Sequence, residues 1–246
     1  MARIRFGLWI LACGLASPSA LARVTNFLEP HSGISVGGGL LFGGIGHADS
    51  DPVPELAPVG TTVSGSDSVH PYVLRFGFYT ERRRVSIEPF VSVLIGKPGN
   101  WTSTGVAGTG VSTDAGWGVG FNFGVHYATW SRVRISQRFE GQMQKRSLTV
   151  SFAPTAGSSD GLVLSATALL AGTALQTEIW LGDLWILNLS GGYRQGLPGP
   201  WSNSQAGTLF GGAQAAGAAV NPGDGTSVQS DFGGFYAEAG LKLAFF

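Results

Sequence analysis

Four histidines are the residues best suited to acid–base chemistry in this chain, and two of them bracket one segment. His47 stands just before Asp49 and Ser50, and His70 follows Ser68. Histidine near a hydroxyl and a carboxylate is the raw material of an activated nucleophile. Such a pair needs a rigid frame to hold it within hydrogen-bond reach. The segment between them, HADSDPVPELAPVGTTVSGSDS, is rich in Ser, Asp, Pro and Gly throughout and has the marks of a loop. No His-x-Ser pair lies in a strand-like run, so no catalytic residue is assigned and the chain does not read as an enzyme. His126 lies within a strand-like run, where a hydrogen-bonding role accounts for it, and His31 precedes another. Cys13 is the only cysteine. No Cys/His metal spacing and no GxxxxGK[ST] phosphate loop occur, so neither metal nor cofactor is expected.

A second set of polar residues is periodic. Arg75, Glu88, Arg132, Arg134, Arg138, Glu140, Glu178, Arg194, Glu238 and Lys242 each take the parity opposite to the apolar residues of a strand-like run. The clearest frame is 116–127. There Trp117, Val119, Phe121, Phe123, Val125 and Tyr127 share one face, and Gly116, Gly118, Gly120, Asn122, Gly124 and His126 share the other. The next run, from Arg132, sends Val133, Ile135, Phe139 and Met143 one way and the arginines the other. Three arginines on one strand face cannot sit in lipid, where each costs about 2–4 kcal/mol at the midplane. They must line a polar interior.

Stepping along the chain gives eight such runs: about 32–43, 69–80, 84–96, 116–127, 132–143, 162–181, 184–194 and a C-terminal run to Phe246. SLTVSF (147–152) can extend the fifth run above a membrane, and Pro89 marks a bulge or local break in the third. Four connections are long (about 44–68, 97–115, 145–161 and 195–229), and three are short, at Glu81 to Arg83, Ala128 to Ser131 and Gly182-Asp183. Long and short alternate.

The N-terminus carries a basic MARIR, an apolar FGLWILACGLA and a small-x-small site at Ala20-Leu21-Ala22. Residues 1–22 therefore read as a cleaved signal peptide and 23–31 as a short periplasmic segment ahead of a barrel at 32–246. Only 12% of residues are charged, mean hydropathy is just +0.19 and there are 39 glycines, so apolar residues are interleaved with small ones. No later segment offers the ~20 apolar residues of a membrane helix. Without residues 1–22 the 15 basic residues lose Arg3 and Arg5, leaving 13 against 15 acidic. That balance offers no nucleic-acid surface.

Together these features resemble the small eight-stranded bacterial outer-membrane barrels of the OmpA/OmpX type, over Ser32 to Phe246. The resemblance rests on alternation, loop asymmetry, the export signal and the terminal aromatics. It implies an all-β fold, an eight-stranded antiparallel transmembrane β-barrel with long extracellular loops and short periplasmic turns, in the outer membrane of a Gram-negative bacterium. Trp117, Phe121, Phe123, Tyr127, Trp185 and Tyr193 are then lipid-facing or girdle residues, and Phe245 and Phe246 the C-terminal assembly signal. Phe246 departs from the family pattern, sharing parity with Lys242 and not with the outward set. The competing fold is a soluble exported β-sandwich, but its solvent face would carry Lys, Thr and Glu where this chain has Gly and Ser.

Fold does not give function. The expected role is structural or surface-interacting, by a monomer whose lumen is plugged by paired charges. The alternative is a porin-like path for ions or small solutes, and the third reading is a lipid-modifying enzyme. Expected partners are outer-membrane lipid and lipopolysaccharide, the barrel-assembly machinery, and an envelope or extracellular protein met by the long loops. Trp201 and Phe210 make the fourth loop the stickiest of these.

Overall fold

The computed structural model describes residues 27–28, 30–42, 52–65, 72–96, 98–182, 184–197, 199–220, 229–230 and 233–245. Eight strands follow one another along the chain: β1 (His31–Phe42), β2 (Tyr72–Glu81), β3 (Val85–Ile95), β4 (Gly108–Thr129), β5 (Val133–Pro154), β6 (Asp160–Trp180), β7 (Trp185–Leu197) and β8 (Gly234–Phe245). Each pairs antiparallel with the next, and β8 returns to β1 over Ser32↔Phe245 to Phe42↔Phe235. The ring is closed, so these eight strands form a barrel and not a sandwich. Closure satisfies each strand's backbone groups within the sheet, the condition for crossing a bilayer without helices.

The alternation decides which face is which. Phe78, Phe121, Ile87 and Tyr127 are more than half exposed on the outside of the ring, while Arg134, Glu178 and Lys242 are at most 1% exposed inside it. Water would demand the reverse arrangement. The medium around this part of the ring is therefore apolar.

Strand lengths show where that medium stops. β1, β2, β3 and β8 have 10 to 12 residues, close to the roughly 9–11 that cross a bilayer. β4, β5 and β6 have 21 or 22 and continue past it. On β5 the outward apolar set ends at Met143, and from Leu148 the apolar residues Leu148, Val150 and Phe152 point inward while Thr149 and Ser151 point out. β6 shows the same inversion, with Leu162, Leu164, Ala166, Ala168 and Leu170 buried inside. The β4–β5 register is unbroken from Gly108↔Pro154 to His126↔Ser136, and its one shift lies below that, between His126 and Ala128. The sheet is continuous; the solvents on its two faces exchange.

Two segments expected as loops are therefore largely strand. Within 97–115, Gly99–Thr104 and the start of β4 form a hairpin, to which Thr62–Gly65 adds, and most of 145–161 belongs to β5 and β6, with 147–152 extending β5 as expected. Their Ser, Thr and Gly content suggested loops, but these residues occupy the wet outer face of a sheet whose dry face is inside. Pro89 makes no bulge. The β2–β3 register is the same on both sides of it and the ladder is merely interrupted there, since proline has no N–H to give.

The long-loop end has its own core. A helical turn, Pro52–Glu55, inserts Val53, and residues 201–220 insert Trp201, Leu209, Phe210 and Val220 among the inward residues of β5 and β6. Trp101 stacks on Phe152, centroids 5.5 Å apart, and its ring lies over Gly110, where a Cβ would overlap it. The hairpin Gly207–Leu209/Gly212–Gln214 turns at Phe210 and Gly211, both left-handed (φ 52° and 76°), as tight hairpins require. Trp201 and Phe210 are 2% and 7% exposed. They are core residues and not a sticky surface, which corrects the expectation placed on the fourth loop.

Candidate functional site

The inward side chains of the membrane-crossing segments form two ionic layers. In the lower layer, near the short turns, Lys242 Nζ lies 2.9 Å from Glu81 Oε1, 2.7 Å from Glu178 Oε1 and 3.7 Å from Glu88 Oε2. Arg134 bridges Glu81 and Glu178, donating from Nε to Glu178 at 2.8 Å. His31 Nε2 stands 2.9 Å from Glu81, and Ser35 Oγ donates to Glu88 at 2.5 Å. In the middle layer Arg75 donates to Glu140 at 2.8 Å and lies 3.1 Å from Glu238, and Arg138 donates to Glu238 at 2.5 Å. Arg194 reaches Glu140 and Glu238 only at 3.9 and 3.7 Å. Aromatic faces take up part of the remaining charge: Phe90 under Arg75 at 4.4 Å, Tyr236 under Arg194 at 4.5 Å, Tyr79 under Lys242 at 4.6 Å.

Three arginines and two glutamates in the middle, with one arginine, one lysine and three glutamates below, give five cations and five carboxylates. Burying any one of these alone would cost many kcal/mol, so the ten are held by one another. Strand geometry places them. Inward residues on neighbouring strands fall at one height when their registers agree, which brings Arg75 to Glu140 across 65 positions and Lys242 to Glu81 across 161.

Of the residues picked out by parity, Arg75, Glu88, Arg134, Arg138, Glu140, Glu178, Arg194, Glu238 and Lys242 lie in these layers. Arg132 does not. It is exposed in the turn between β4 and β5, one residue before the strand begins, where parity has no meaning and water is available. Glu81 was missed: it reads as a turn residue, yet it shares the parity of Arg75 and is 1% exposed at the hub of the lower layer.

Other side chains bound the ionic zone above and below. Above it Gln142 donates to Ser92 at 2.6 Å, Arg146 pairs with Asp114, and the apolar core follows. Below it Phe27, from the segment ahead of β1, packs edge-on to Trp180 (5.2 Å) and under Arg134 (4.3 Å), and its N–H donates to Ser131 O. Between the layers lies a cavity of about 20 Å³ lined by Arg75, Arg138, Glu88, Asn122, Asn188 and Lys242, room for about one water.

One pairing has the form of a nucleophile and its base. His126 Nδ1 is 2.7 Å from Ser136 Oγ across the β4–β5 ladder, a proximity that sequence separation hid. Ser136 is 2% exposed inside the barrel, and His126 Nε2 meets no hydrogen-bond partner among the described residues. Among the described residues no carboxylate hydrogen-bonds His126 to orient it. His47, Asp49, Ser50, Ser68 and His70 lie outside the described residues.

On the outside, Trp117, Phe121, Phe123, Tyr127 and Trp185 are exposed, and Tyr193 is half-buried against Phe235 at 5.1 Å. Trp117 and Tyr127 are ten residues apart on β4. At about 3.4 Å per residue and a tilt of about 40°, they stand about 26 Å apart along the barrel axis. The outward apolar band of such barrels is about 25 Å tall. Phe245 also faces out, at the short-turn end, and Phe246 lies outside the described residues. A closed eight-stranded antiparallel barrel with an apolar belt, a charged interior and this loop asymmetry is an integral protein of the bacterial outer membrane, with the short turns periplasmic and the long loops outside.

No protein-family model matches the chain, and no curated protein matches it in sequence. Among solved structures it is similar to Ail, the attachment invasion locus protein of Yersinia pestis, at 10% identity and TM-score 0.39, covering 88% of this chain and 99% of that one. The same protein in complex with the heparin analogue sucrose octasulfate matches at 11% and 0.37, with the same coverage. The outer membrane protein AlkL, solved by solid-state NMR in DMPC bilayers, matches at 15% and 0.28, covering 89% and 90%. Likeness this distant assigns no ligand or activity to this chain.

Proposed function

We propose that this chain is a non-conducting outer-membrane barrel with a structural or surface-interaction role, exported by residues 1–22 and acting as a monomer without enzymatic activity. The carrying observation is the lumen: ten mutually paired charges, an apolar core above them, Phe27 below, and a cavity of about 20 Å³ between the two layers. A solute path needs a continuous wet file, and paired buried charges at 2.5–3.1 Å do not part without a cost of several kcal/mol.

The protein instead offers its outer surface. Above the membrane it presents a rigid β-structure with Ser and Thr outward and its apolar loop residues turned in, a form suited to holding exposed loop tips in fixed positions. Lys145, exposed and paired in register with Trp117 at the upper interface, is placed to meet lipopolysaccharide phosphates. A barrel-assembly machinery that reads Phe245 and Phe246 inserts the chain.

Planar-bilayer recording of the purified full-length protein tests the reading. No unitary current is expected, from the native chain or from Phe27→Ala, since the ionic layers remain. A reproducible ohmic step whose ion selectivity changes in Arg138→Gln would overturn it in favour of a channel.

A further inference from the structure

Four exposed arginines collect at one quadrant of the periplasmic rim. Arg82, Arg83 and Arg84 make up the turn between β2 and β3, and Arg132 stands in the turn between β4 and β5. The two turns are neighbours: Val85 pairs with Val125, and the His126 N–H donates to Arg84 O at 2.9 Å. Among the described residues none of the four makes an ion pair, and no carboxylate is exposed at this end, Glu81 and Glu88 both being turned into the lumen. Tyr127 and Trp130, on the same quadrant, are 66% and 55% exposed.

Those two aromatics fix the depth. Exposed Tyr and Trp settle at the headgroup level, and Arg84 lies level with the strand end from which Tyr127 projects. The arginines are thus held at or just beyond the plane of lipid phosphates. Guanidinium groups match phosphate oxygens in paired hydrogen bonds. Among the described residues, neither the lumen network nor the extracellular core uses these four cations.

We propose that the Arg82–Arg84 turn and Arg132 form a docking site for the headgroups of anionic phospholipid in the periplasmic leaflet. The site holds the phosphodiester of a lipid such as phosphatidylglycerol and anchors the barrel's depth and tilt on one side. This rests on the reading that the short turns face the periplasm.

The test uses the refolded full-length chain in phosphatidylethanolamine vesicles, with spin-labelled phosphatidylglycerol and spin-labelled phosphatidylethanolamine as probes. Selectivity for the anionic probe of about fivefold is expected at low salt, the factor that about 1 kcal/mol of attraction produces. It should approach unity in the variant carrying Arg82→Gln, Arg83→Gln, Arg84→Gln and Arg132→Gln, checked for folding by heat-modifiable migration. The native chain supplies an independent measure: its selectivity should vanish at 1 M salt, where screening acts within about 3 Å. Equal selectivity in the variant, or selectivity that persists at 1 M salt, would overturn the proposal. So would arginine-dependent binding to purified peptidoglycan without lipid selectivity. Topology is read separately by Ser131→Cys in a chain whose only cysteine, Cys13, lies in residues 1–22. Its labelling by an impermeant maleimide in intact cells would overturn the orientation, and protection would leave the lipid result to decide alone.

Discussion

The exchange of solvents along β5 and its partner β4 makes a sharp prediction about depth. An arginine placed at an outward position should be costly within the belt and nearly free above it. Phe121 lies four residues below Trp117 and six above Tyr127, which at about 2.6 Å of axial rise per residue puts it about 10 Å below the upper girdle and within about 3 Å of the midplane. Phe121→Arg should therefore cost about 2–4 kcal/mol, reducing the folded-to-unfolded ratio about 30-fold to several hundred-fold. It also removes the ring that covers Gly141. Thr149 faces the same side of the sheet but pairs with Thr113, four residues above Trp117, about 10 Å out in water. Thr149→Arg should stay within about 0.5 kcal/mol of the native chain. Reversible urea or guanidinium unfolding in phospholipid vesicles, followed by tryptophan fluorescence and by heat-modifiable migration, measures both. Comparable losses at the two positions would refute the inversion, and a Phe121→Arg change under 0.5 kcal/mol would refute the lipid-facing assignment.

Lys242→Met, which leaves the three glutamates of the lower layer to Arg134, should destabilise by about 3–5 kcal/mol in the same unfolding experiment, and adding Glu81→Gln should recover part of that loss. Leu164 is 0% exposed in the extracellular core. Its replacement by Ala should cost about 2–5 kcal/mol and make residues 199–220 cleavable by protease added to intact cells, whereas the native segment resists because its Trp201 and Phe210 are locked inside. Replacing Phe245 and Phe246 together with Ser should abolish outer-membrane insertion, seen as loss of heat-modifiable protein from the membrane fraction, and Phe246 deletion alone should impair it modestly.

Strand parity is a local property with a period of two, so Phe121, Trp117, Arg138 and Glu178 could be assigned to opposite faces from their neighbours alone. Parity stops at the strand's end, so it does not show that Arg132 stands in water one residue before β5 or that Glu81, the last residue of β2, faces the lumen. The Ser, Thr and Gly of 97–115 carried too few apolar residues to signal a strand, whereas in 147–152 the shifted phase of Leu148, Val150 and Phe152 already marked an extension of β5. Trp201 and Phe210 have no periodic neighbours at all, and an apolar residue in an irregular segment does not say whether it covers a core or a partner.

By itself, then, the order of residues determined the class of fold, the two faces of each strand and the charge of the interior, because backbone geometry converts sequence alternation directly into direction. Only the closed ring decided which charges meet. Lys242 finds Glu81, and Arg75 finds Glu140, because register accumulates around eight strands until heights agree, a quantity no single strand carries. The same closure decided that the loops fold inward: once β5 and β6 raise apolar residues above the membrane into a water-surrounded ring, their inner face must be filled, and Val53, Trp201 and Phe210 are the side chains within reach.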